Sequence, residues 1–164
     1  VVTCALEGTR PLLAEVQALV ADSRLGNPRR TSLGVDNQRT QLLAAVLEKR
    51  GGIHLADQDV FVNAAGGVSL TEPAADLAIL TSIASSSMGR PVDPKAITFG
   101  EVGLAGEVRA VSQADARIAE GVRMGFTRFW IPQGNLTRMG RGQIPKGAEV
   151  EGIRNIEQLL DRLV

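Results

Sequence analysis

Residues Asp59 to Val111 read DVFVNAAGGVSLTEPAADLAILTSIASSSMGRPVDPKAITFGEVGLAGEVRAV, and the reading of this stretch decides the fold. Val60 to Asn63 is a predicted strand, and Gly66-Gly67 lets the chain turn or bulge before Val68 to Leu70. Pro73, a favourable first-turn residue, opens a helix with Thr71 or Glu72 at its cap. Along it Ala75, Leu77, Ala78, Leu80 and Ile83 recur at helical spacing until Ser85-Ser-Ser87 and Gly89 end it. Ile97 to Phe99 and Glu101 to Leu104 are predicted strands interrupted by Gly100, with a tight turn from Gly103 to Gly106. A strand, a small-residue helix and further strands in this order imply an α/β sandwich.

The flanking sequence extends the same alternation. Val1 to Leu6 and Leu12 to Val20 read as a hairpin-like strand pair across Gly8-Thr-Arg-Pro11, and Leu25 to Gly34 reads as a loop marked by Gly26-Asn-Pro28. Leu43, Val46 and Leu47 recur at helical spacing between Asp36, a candidate N-cap, and the stop signal Gly51-Gly52. Ser112 is expected to cap a third helix through Met124 with Ala116, Ile118, Ala119 and Val122 inward. Phe129-Trp-Ile131 and the surroundings of Val150 are short strands, and Asn155 caps a last helix with Ile156, Leu159, Leu160 and Leu163 inward. The 164 residues suit one domain, 1–164, able to bury roughly 70% of its unfolded surface without disulfides.

The segment around Pro73 and the motif Gly-Glu-Val-Gly-Leu-Ala-Gly-Glu-Val (Gly100 to Val108) resemble the proteolytic domain of the Lon family. The resemblance implies a two-layer α/β fold of the ribosomal-protein-S5 domain 2 type, with a nucleophilic serine after Pro73 and a base lysine on the third helix. This chain has Ala74 at the first position and Asp115 at the second. A serine attacks a peptide carbonyl only when a base takes its proton, and Ala74 has none to give. Ser69, Ser82, Ser85, Ser86 and Ser87 read as turn and surface hydroxyls, so no catalytic residue is expected.

Glu7 to Val20, Asn27-Pro-Arg-Arg30 and Ala56 to Asn63 narrow the resemblance to the C-terminal domain of the bacterial RadA/Sms DNA-repair family. That family implies a zinc finger, a RecA-like ATPase and this Lon-like domain in a hexameric, ATP-driven DNA helicase or translocase. It acts in homologous recombination and branch migration beside a RecA-type recombinase. The chain, beginning inside a predicted strand, reads as an excised part of such a protein. It has no G-x-x-x-x-G-K-[ST] loop, and Lys146-Gly147 follows Pro145 rather than a glycine, so no ATP or Mg is expected on it. With Cys4 and His54 as the lone cysteine and histidine, no zinc is expected either. ATP, Mg and Zn would belong to the other parts.

No apolar run reaches membrane-spanning length and nothing resembles a signal peptide, which suggests a cytoplasmic protein. Cys4 reads as a small buried hydrophobe, His54 as an exposed or capping side chain, Asp57 and Asp59 as turn residues, and Trp130 as core. Aromatics are 3% of the chain, too few for base-stacking platforms. Charge carries the remaining signal. The net charge is zero, but Gly121 to Ala148 holds Arg123, Arg128, Arg138, Arg141 and Lys146 with no acidic residue. The last three fall in a glycine-rich segment, Asn135 to Gly147, read as a flexible loop. A second cluster is Arg24, Arg29, Arg30 and Arg39. Arginine outnumbers lysine 15 to 3, which favours bidentate contacts to phosphate or to carboxylates across a subunit interface. Arg29, Arg30, Arg138, Arg141 and Lys146 are the candidate DNA-binding residues, in a domain expected to assemble with itself as a ring. A pure oligomerisation module and a residual serine peptidase are the alternatives.

Overall fold

A computed structural model describes residues 1–24 and 26–163. Its centre is a seven-stranded mixed sheet built of β1 (Val2–Glu7), β2 (Arg10–Asp22), β3 (Arg30–Leu33), β4 (Gln58–Ala64), β5 (Ala96–Thr98), β8 (Arg128–Pro132) and β9 (Glu149–Ile153), in the order β3-β4-β2-β1-β5-β8-β9. β6 (Glu101–Val102) and β7 (Val108–Arg109) form a separate small hairpin. The helices are α1 (Asn37–Gly51), α2 (Asp76–Met88), α3 (Ala114–Arg123), α4 (Gln133–Met139) and α5 (Ile156–Leu160). The long strand β2 joins two half-sheets, because its first six residues pair antiparallel with β1 and its last seven with β4.

The alternation of β8 shows how the layers are arranged. Trp130 packs into the core shared with α1, α2 and α5, whereas its neighbours Phe129 and Ile131 face a second core with Ile118 of α3 and Leu136 of α4. Successive strand side chains point to opposite faces, so helices cover both sides of this part of the sheet. The α/β class is as read from the sequence, but the two-layer expectation is corrected to include a partial third layer. After the exposed Arg128, β8 is a continuous apolar run, Phe129 to Pro132, buried on both faces.

Three boundary signals act as expected. The Asp36 side chain accepts from Gln38 N, Gly52 ends α1 in the left-handed conformation, and the Asn155 side chain accepts from Gln158 N. Other expectations are corrected. Within the expected loop from Leu25, itself outside the described residues, Arg30 to Leu33 forms β3 by parallel pairing with Val60 to Asn63. Four residues are too few to show a strand period. The expected flexible loop from Asn135 begins as α4, with Asn135 and Leu136 buried, and adds a 3-10 turn at Arg141–Gln143. Neither Thr71 nor Glu72 caps a helix with its side chain, and Pro73–Ala75 is a 3-10 turn ahead of α2.

Ser112 does not cap α3. Gln113 occupies that position at φ 54°, the only non-glycine positive φ among the described residues. The inner face of α3 is Ala114, Arg117, Ile118 and Gly121, while Ala119 is exposed. The apolar pattern hid this register because an arginine occupies one of the inward positions. Ser82, read as a surface hydroxyl, is buried and donates to Ile79 O, and Asp59 is a buried strand residue rather than a turn residue.

Gly121 sets how closely α3 approaches the sheet. A methyl group there would lie 2.6 Å from the Phe129 ring and 2.7 Å from Ile97. Alanine would gain about 1 kcal/mol of helix propensity, while overpacking costs about 1–3 kcal/mol. Both obstructing side chains are fully buried, so the second effect dominates. Gly121→Ala is expected to lower unfolding free energy by up to about 2 kcal/mol in urea denaturation.

Candidate functional site

The position where the family resemblance places a nucleophile is filled and fixed. Ala74 is buried in the Pro73–Ala75 turn, its carbonyl accepts from Gly100 N at 2.8 Å, and Leu77 N donates back to Gly100 O at 3.0 Å. The Gly100 motif therefore docks on the start of α2 through backbone bonds. Asp115, at the position of the base, is exposed in the first turn of α3, where its carboxylate accepts from Ala116 N at 2.9 Å. Its negative charge suits a helix N-terminus but cannot reproduce a desolvated lysine.

Between these elements lies a buried ion pair that the sequence reading missed. Arg117, 1% exposed, directs Nη1 to Glu72 Oε1 at 2.6 Å and Nη2 to Oε2 at 3.2 Å. Its remaining donors reach Cys4 O at 2.8 Å and Ser112 O at 2.9 Å, and its guanidinium lies 5.6 Å from the Phe99 ring centroid. Glu72 Oε1 also accepts from Leu6 N. Thus β1, the Pro73 turn, α3 and the loop before it converge on one planar cation whose fork matches these acceptors. The available signal was an arginine at helical spacing between Ala114, Ile118 and Gly121.

A buried carboxylate ties the first residue of α2 to α1 and β6. Asp76 pairs bidentately with Arg39, through Oδ1 to Nε at 2.9 Å and Oδ2 to Nη2, and Oδ2 accepts from Val102 N. The Asp76 hydrogen bond holds the Arg39 guanidinium above its ordinary pKa. Arg39 is thereby removed from the cations available to a ligand.

The two basic clusters lie at opposite sheet edges. Arg29 precedes and Arg30 begins the edge strand β3, whereas Arg138 and Arg141 belong to α4 and the turn after it, beside β8 and β9. Six strand spacings separate the edges by about 29 Å, so the clusters do not form one continuous patch on a protomer. Arg29 pairs with Asp59 at 3.4 Å and lies 5.5 Å from the Phe61 ring centroid. The Arg29 backbone N–H, and then its guanidinium, hold the Asp59 carboxyl below its ordinary pKa. Arg30 spends its guanidinium on the carbonyls of Gln58 and Leu55. Arg123 pairs with Glu120, and Arg128 with Asp93 and Glu149.

Arg138, Arg141 and Lys146 are exposed and make no salt bridge among the described residues. Arg138 shares a cleft of about 250 Å³ with Asp115, Gln113, Asn135 and Met139. The structure thus brings one candidate cation beside the degenerate base position and leaves Ala74 outside that cleft.

Burial pushes the Cys4 thiol up to about 11, leaving it neutral and inert at ordinary pH. His54 is exposed and pairs with Asp57 at 2.9 Å, and Trp130 is core. Among the described residues no group of three or more His, Cys, Asp or Glu side chains could hold a metal ion, and no helix is long and apolar enough to cross a membrane.

These features define a Lon-type domain. Residues 39–164 match the Lon protease (S16) C-terminal proteolytic domain, and the chain belongs to that family. Within it the chain is similar to the DNA repair protein RadA of Bacillus subtilis, 49% identical over 97% of this chain and 34% of that protein. It is 46% identical to that of Escherichia coli K12, over 94% of this chain and 33% of that protein. The RadA of Streptococcus pneumoniae is 45% identical over 96% of this chain and 37% of that protein. The chain spans about a third of the length of these relatives and corresponds to their Lon-like part.

The Glu72–Arg117 pair makes a direct stability prediction. Glu72→Ala leaves a buried guanidinium with half its acceptors gone and is expected to cost about 3 kcal/mol. The double variant Glu72→Gln with Arg117→Met removes both charges and is expected to recover much of that loss, as read by chemical denaturation of the three proteins.

Proposed function

We propose that this domain is a non-proteolytic, DNA-contacting scaffold of a RadA-type ATP-driven motor for recombinational repair and branch migration. It would act in the cytoplasm as part of a ring-shaped homo-oligomer, a hexamer by family resemblance. The adjoining ATPase and a RecA-type recombinase would be its further partners, with ATP, Mg and Zn held outside this domain. The RadA relatives support the repair role, and the buried Ala74 argues against nucleophilic catalysis.

The observation that carries DNA contact is the run Arg138, Arg141 and Lys146. Three exposed cations lie within nine residues of a segment without acidic side chains. Cations already neutralised by a protein carboxylate release few counterions from DNA, whereas free cations release nearly one each. This ranks the α4 cluster above Arg29, which pairs with Asp59, while Arg30 keeps its charge but has guanidinium donors committed to two backbone carbonyls. Phosphate contact carries no sequence information, as a translocating motor requires.

A pure oligomerisation module is the second reading. It is favoured by Leu19, Leu33 and Leu104, which are 58%, 67% and 66% exposed on the isolated chain and would suit a repeated ring interface.

Salt titration of duplex DNA binding separates these readings, with light scattering to monitor assembly. Replacing Arg138, Arg141 and Lys146 with alanine is expected to lower the magnitude of the log–log slope by about 0.9 per lost contact. Arg29→Ala with Arg30→Ala should change it less. Unchanged slopes in both, with assembly intact, would establish the scaffold reading.

No hydrolysis of unfolded casein and no serine labelling by a fluorophosphonate probe are expected. Ala74→Ser with Asp115→Lys should restore little activity, because the buried turn and the Arg117 network leave the dyad without its reaction pocket. Labelling of the unaltered domain would refute the non-proteolytic assignment.

A further inference from the structure

The replaced catalytic centre is connected to the basic segment by a short chain of hydrogen bonds. Arg117 Nε donates to Ser112 O at 2.9 Å, fixing the loop ahead of α3. One residue earlier, Val111 is clasped by the Asn135 side-chain amide, whose Oδ1 accepts from Val111 N and whose Nδ2 donates to Val111 O, both at 2.9 Å. Asn135 is buried and belongs to α4, one turn ahead of Arg138. The path therefore runs from Glu72 through Arg117, Ser112, Val111 and Asn135 to the helix that carries Arg138, the first of the candidate phosphate contacts.

We propose that Arg117 and Asn135 are positioning residues that mount this basic segment for DNA. The inference rests on the reading of Arg138, Arg141 and Lys146 as phosphate contacts. α4 has seven residues and no side-chain N-cap, so it is too short to persist by its own hydrogen bonds and depends on tertiary anchors. Leu136 supplies an apolar anchor, and Asn135 supplies the polar one by reproducing a peptide-like pair of hydrogen bonds with Val111. The Val111–Gln113 loop needs an anchor as well, because Gln113 holds a left-handed conformation that costs energy for a residue with a Cβ. Arg117 provides it from the opposite side. Holding the cations on a fixed mount reduces the ordering cost incurred when they meet phosphates. The buried arginine thus stabilises a binding surface in the fold where the resembling proteases place catalysis.

Asn135→Ala tests the mount without removing a charge. Hydrogen exchange of backbone amides in residues 133–147 should accelerate about tenfold or more, while α2 and the β2–β4 ladder remain protected. Duplex DNA affinity should fall several-fold and the salt slope should decrease, by up to about 0.9 for each contact no longer held. A general loss of stability lowers the folded fraction but leaves the slope of the folded protein unchanged, so the slope distinguishes positioning from mere stabilisation. Arg117→Lys keeps the charge opposite Glu72 but cannot span Glu72, Cys4 O and Ser112 O together, and it should reproduce both effects.

Unchanged exchange in 133–147, uniform acceleration throughout the chain, or an unchanged slope in Asn135→Ala would overturn the proposal. Wild-type behaviour of Arg117→Lys would overturn the role assigned to the guanidinium fork. Failure of the charge-removing variant to alter DNA binding would instead defeat the phosphate-contact reading, while the exchange pattern independently decides whether the mount exists.

Discussion

A charged group without solvent must be surrounded by acceptors, and the Arg117 guanidinium meets that requirement through three other parts of the chain, joining four in all. Glu72 comes from the turn ahead of α2, Cys4 O from β1, Ser112 O from the loop before α3, and Arg117 itself from that helix. The cation is not evidence of large net stability, since well-packed apolar residues can replace buried ion pairs. Its effect is geometric: if any of the four parts moves, a buried donor or acceptor loses its partner. The orientation of α3 against the sheet depends on this constraint together with the close approach at Gly121.

The same region shows what the residues around α2 and α3 contribute to the Lon-type fold. The two positions at which the family resemblance implies a dyad serve packing and capping in this structure. Ala74 is part of a buried turn held to Gly100, while Asp115 complements the α3 N-terminus. Asp76 and Arg39 reinforce the other side of α2, where Val102 N also bonds to the carboxylate. Polar atoms in this region are directed to one another.

Charge distribution follows a similar division. Most arginines near the sheet edges are neutralised locally or bound to carbonyls, so a count of basic residues overstates the surface available to an anion. Arg138, Arg141 and Lys146 differ because, among the described residues, no carboxylate from elsewhere in the chain pairs with them. The short helix presenting the first of them depends on Leu136 and Asn135, giving the basic surface a direct connection to the second core.

The α/β class and the order of the principal elements were legible in the sequence because they depend on local periodicity and on Gly and Pro signals. Asp36 and Asn155 were legible as caps for the same local reason. The strand Arg30 to Leu33 was not, since four residues become a strand only when β4 supplies their ladder. Nor was the inward face of α3, where Arg117 has the polarity of a surface residue and is buried only because Glu72 and two carbonyls meet it there. Sequence listed Arg29, Arg30, Arg138, Arg141 and Lys146 as equivalent cations. Tertiary structure separated them, because the availability of a charge depends on whether a carboxylate or carbonyl distant in the chain has already satisfied it.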